Sequence, residues 1–68
     1  MSIIVSLPNG YREASVGIAL HKVCPGCQII FLSEGVILEG VPEGLNCDIK
    51  DALEVDARVQ VGIMRMQY

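Results

Sequence analysis

Four residues of this chain have the types and spacing to do chemistry. His21, Cys24 and Cys27 follow one another at three-residue steps, and Cys47 stands further along. One imidazole nitrogen and three thiolates make a closed tetrahedral zinc set. Cys24-Pro25-Gly26-Cys27 reads as a tight turn, which puts two thiolates within reach of one ion. The metal-site expectation is therefore zinc held by His21, Cys24, Cys27 and Cys47. Plainer outcomes compete with it. Free cysteine is among the most buried residue types and packs as a small hydrophobe, so the leading expectation is no cofactor. A disulfide is the third reading. It is disfavoured by the odd cysteine count and by an N-terminus, Met1-Ser2-Ile3-Ile4-Val5-Ser6, without the basic region of a secretion signal.

Cys-Pro-Gly-Cys resembles a zinc knuckle, whose usual form is Cys-Pro-x-Cys-Gly. Here the glycine lies inside the loop and Gln28 follows the second cysteine. The small residue that lets backbone amides approach the sulfurs is missing, and so is the second ligand pair. Thioredoxin-like proteins also carry Cys-x2-Cys, but before a helix and in a longer chain. Here Gln28-Ile29-Ile30-Phe31-Leu32 follows and reads as a strand.

No other motif carries chemistry. The seven glycines are scattered at turns rather than gathered in a phosphate loop. There is no Gly-x-Ser-x-Gly elbow. One histidine without an assembled serine or cysteine partner makes no triad. A non-catalytic protein is expected, with an enzyme or small-molecule binder using a site between subunits as a lesser alternative.

Charge is unevenly placed. The window from Glu34 to Asp56 holds seven of the eight acids and one base, Lys50. It bears −6, and the remainder of the chain bears +3. Such a face suits a basic protein partner; its plainer role is to keep an apolar protein in solution. An acidic chain with 5 Lys+Arg has little to offer phosphates, so no nucleic-acid partner is expected. No apolar run approaches the roughly 18–20 residues of a membrane span. The expected setting is cytoplasmic, with no membrane.

The elements that must position these residues read mainly as strands. Ile3, Val5 and Leu7 alternate with Ser2, Ile4 and Ser6, and Leu7-Pro8-Asn9-Gly10 is expected to close a hairpin. Residues 12–23 fit two periods. Ala14, Val16, Ile18 and Leu20 alternate as in a strand, while Val16, Ala19, Leu20 and Val23 form a helical stripe. The strand is preferred because Val16 and Ile18 are β-branched. Gln28–Leu32 and Val36–Leu38, broken at Ser33-Glu34-Gly35, are expected as strands covered on both faces. Asn46 is expected to cap a short helix through Ala52. Leu53, Val55, Ala57, Val59, Val61 and Ile63 alternate as a last strand. Its phase flips to Met64 and Met66, which predicts a bulge at Gly62. Met64, Met66 and Tyr68 are expected at a core or subunit interface.

These elements predict one domain over residues 1–68. Its expected class is a small, mainly antiparallel β-sheet or partly open barrel with at most one short helix. The strand order also resembles a β-grasp domain. Ser6-Leu7-Pro8-Asn9-Gly10 and Val55-Asp56-Ala57-Arg58-Val59-Gln60-Val61 are similar to the first turn and last strand of ubiquitin-like TGS modules. That resemblance implies an alternative α+β arrangement with residues 12–23 helical. The Gly-Gly tail of transferable members is absent from Met66-Gln67-Tyr68.

Half of the chain, 51%, is hydrophobic and the mean hydropathy is +0.47, more apolar surface than a 68-residue monomer hides easily. Single cores of this size seldom supply more than about 3–5 kcal/mol. A homo-oligomer joined through apolar strands is expected.

Overall fold

The computed structural model describes residues 1–67, so the reading of Tyr68 lies outside it. Elements run β1 (Ser2–Ser6), α1 (Glu13–Val23), β2 (Gln28–Leu32), β3 (Gly35–Glu39), α2 (Asn46–Asp51) and β4 (Met64–Gln67). The described strands form one open antiparallel sheet in the order β2-β3-β1-β4. Both helices lie on one face of it.

Alternation in β1 sends Ile3 and Val5 into the core, both fully buried. Register then fixes the neighbours. Leu38 stands beside Ile3 and Val36 beside Val5 on the inner face; Ile37 stands beside Ile4 on the outer face. Leu7 closes the strand with an N–H bond to the Glu34 carbonyl at 2.8 Å.

Gly10 takes φ +85°, as the Pro8-Asn9-Gly10 turn requires. That turn leads into a helix, so two expectations are corrected: no hairpin follows β1, and residues 13–23 are α1 rather than a strand. The helical stripe won because Val16, Ala19 and Leu20, at i, i+3 and i+4, all reach the core. Ile18, which a strand would bury alongside Val16 and Leu20, is 61% exposed. Glu13 in the first turn and His21 and Lys22 in the last complement the helix dipole. The helical alternative for residues 12–23 is thus realised, without the hairpin that a β-grasp order places before the helix.

Tyr11 ties the start of α1 to the far end of the β2–β3 hairpin. Its hydroxyl donates towards the carbonyls of Leu32 and Gly35, the latter at 2.8 Å. Burial raises the Tyr11 pKa above the usual 10.0, and the Glu13 carboxylate raises it further. Both effects oppose the phenolate. A folded pKa above the unfolded one gives stability that is present below the unfolded value and lost as pH rises through the folded value. Tyr11→Phe is therefore expected to cost about 1 kcal/mol near neutral pH. It should also flatten the loss of stability above pH ~10. Urea unfolding of both proteins across pH 7 to 11 checks this; parallel alkaline limbs would refute it.

The acidic window departs from expectation mainly at its end. The short helix is there as α2, but Asn46 is its first residue and not its cap: Leu45 holds the N-cap position and makes no side-chain cap bond, and Ile49 fills the core. It does not hand over to a strand. The chain widens into a π-type turn over Ala52–Asp56, with Ala57 N–H on the Ala52 carbonyl at 3.1 Å. Arg58 at φ 54° then ends the helix in the left-handed region. The expected strand from Leu53 is corrected accordingly: Ile49, Ala52 and Leu53 are buried at helical spacing, while Val55 is 70% exposed. Regular pairing starts only at Met64.

The expected bulge is present in the hydrogen bonds. Gly62 N–H reaches the Ser6 carbonyl at 2.9 Å, and Ser6 N–H reaches the Ile63 carbonyl at 2.8 Å. Two residues face one. Beyond them Met64 and Met66 stand beside Val5 and Ile3 on the inner face, and Arg65 stands beside Ile4 on the outer.

Candidate interaction surface

The structure does not gather the zinc constellation. Cys24 caps the C-terminus of α1 with its N–H on the Leu20 carbonyl, and Cys27 N–H returns to the Cys24 carbonyl at 3.1 Å. This turn sets the two Cα atoms 5.4 Å apart, and the sulfurs are joined as a disulfide. The expected turn is borne out, and it brings the two sulfurs together as the disulfide reading has them. Cys47 is a free, exposed thiol in the first turn of α2. His21 is exposed on the last turn of α1. Among the described residues no group of three or more His, Cys, Asp or Glu side chains is placed to hold a metal ion. Both sulfurs of a disulfide lack the thiolate charge that zinc requires.

His21 belongs to a different feature. Ala14, Gly17, Ile18 and His21 lie at i, i+3, i+4 and i+7, a second stripe of α1 turned away from the core. With Phe31 of β2 they line an open apolar groove, which has Glu13 at one end and Lys22 at the other. Gly17 makes the groove possible. A Cβ there would stand 3.3 Å from Phe31 Cζ, so a larger residue would push the ring off the helix. Glu13 and His21 are eight residues apart, about 12 Å along the helix. They do not converge on one reacting atom.

Phe31 leads onto β2, whose setting differs from the sequence expectation. β3 is covered, but β2 is the edge of the sheet and four of its five residues are exposed. Ile30 and Leu32 face outward beside Ile37 and Gly35, and Ile30, Ile37 and Ile4 form an apolar row across the open face. Sequence reasoning found these residues apolar on both faces and read that as burial. Their edge position depends on strand order, which no local pattern encodes.

Across the molecule, Asp48, Asp51 and Asp56 border a shallow groove floored by Val23, Leu45, Ala52 and Val55. The acidic window thus concentrates three carboxylates around apolar side chains on the α2 surface. No family model, characterised protein or solved structure matches this chain. The functional reading rests on these surfaces. No helix among the described residues is long and apolar enough to cross a membrane.

Proposed function

We propose that the protein is a non-catalytic interaction module that self-associates through its apolar strand β2. The observation that carries this is the state of that edge. Gln28–Leu32 holds no charge, no proline and no bulge, the devices by which proteins blunt exposed strands. Its free backbone groups and exposed Ile30, Phe31 and Leu32 offer hydrogen bonds and apolar area together. The opposite edge, β4, is guarded by the Gly62–Ile63 bulge and by Arg65.

The acidic groove on α2 supports a second contact, with a basic amphipathic segment of another protein. Its carboxylates would meet the partner's cations while Val55 met its apolar face. A zinc-stabilised adaptor would first need the Cys24–Cys27 bond reduced. A small-molecule site would need polar groups that converge, and the α1 groove spreads them along its length.

Native mass spectrometry of protein purified without chelator tests the proposal. The expected result is an assembly of two or more chains without metal, weakened by Ile30→Lys, which places a charge on the strand edge that now has none. A wild-type chain that stays monomeric at roughly 100 μM, far above the concentrations at which micromolar complexes form, would overturn it.

A further inference from the structure

We infer that the partner at β2 is a second copy of this chain, bound about a two-fold axis at Ile30, with β2 pairing antiparallel to its symmetry mate. This rests on the self-association just proposed and assigns its geometry.

The hairpin fixes which groups are free. Ser33 and Glu34 form a two-residue turn, so Leu32 and Gly35 are the hydrogen-bonded closing pair. Alternation then turns the backbone groups of Ile30 towards Ile37, and those of Ile29 and Phe31 out to the free edge. Two such edges can pair only with odd positions opposite odd positions. Centring on Ile30 overlaps all five residues. Ile29 then exchanges both hydrogen bonds with Phe31 of the other copy, and Ile30 faces its own symmetry mate. The strand carries no charge, so no like charges meet. The inner face gains two isoleucine–phenylalanine pairs, a favoured cross-strand combination.

The arrangement also closes. Eight strands would end at two copies of β4, and both of those edges are guarded.

Cross-linking tests this. In a Cys47→Ser background, Ile30→Cys places two thiols on a non-hydrogen-bonded pair with Cα atoms about 4.5 Å apart, within the disulfide range. Under a glutathione redox buffer it is expected to form a covalent dimer, while Ile37→Cys, one strand inward, is not. A wild-type dimer whose Ile30→Cys variant fails to cross-link overturns this two-fold and leaves self-association standing. A monomeric wild type overturns both.

Discussion

Gly35→Ala is expected to remove most of the stability of this fold. Gly35 opens β3 and lies between the ends of β1 and β2, opposite Ser6 on one side and Leu32 on the other. A Cβ there would overlap the carbonyl oxygen of Val5 and press on the Val5 carbonyl carbon and Ser6 Cα at 3.1 and 3.2 Å. Every one of these atoms is backbone of a central strand, so no side chain can rotate away. The chain must part β3 from β1, which carry the buried pairs Val5–Val36 and Ile3–Leu38. Overpacking usually costs about 1–3 kcal/mol, and a rigid obstacle puts this site at the upper end. Against the about 3–5 kcal/mol that a core of this size supplies, little remains. Thermal unfolding should show Tm lower by roughly 10–20 °C. Gly26→Ala is the control, since a Cβ there meets nothing within 4 Å. Equal Tm for wild type and Gly35→Ala would refute the β1–β3 register.

Local chemistry made part of this fold legible. The Pro8-Asn9-Gly10 turn, the Cys24–Cys27 turn, the β2–β3 hairpin, the helix at Asn46 and the bulge at Gly62 each follow from residue types within a few positions. The two larger misreadings share a cause. α1 is apolar on two faces: Val16, Ala19 and Leu20 enter the core while Ala14, Gly17 and Ile18 line the groove. A helix with two apolar faces blurs the 3.6-residue period and leaves room for an alternating one. The same surplus misplaced β2. Composition alone predicts a strand covered on both sides, and in the single chain β2 is uncovered. The proposed dimer would return it to the interior of a sheet. The apolar surplus was thus visible in the sequence, but its location needed the strand order. The cysteine spacing announced a turn and left open what the sulfurs do, because Cys47 is placed by α2, far from the local pattern.

The final stretch of the acidic window gives the sharpest separation between helix and strand. A strand from Leu53 would put Leu53 and Val55 on one face, and truncating either would cost alike. In the structure Leu53 is fully buried against the core and Val55 is 70% exposed. Leu53 packs from the π-type turn into the cluster that includes Val16, Leu20 and Ile49, and its carbonyl accepts the Val59 N–H at 3.0 Å. Leu53→Ala leaves a cavity where the two helical segments meet, and the expected cost is about 2–5 kcal/mol. That is enough to leave much of the chain unfolded at 25 °C. Val55→Ala removes side chain from water and improves helix propensity, so its expected change lies within about 0.5 kcal/mol. Urea unfolding of the two variants decides the matter. A large loss for Leu53→Ala alone requires the helical phase, whereas matched losses would place both side chains in a strand and refute the turn at Ala52–Asp56. The pair also probes the acidic groove, because Val55→Ala should weaken capture of a basic amphipathic peptide while leaving the fold intact.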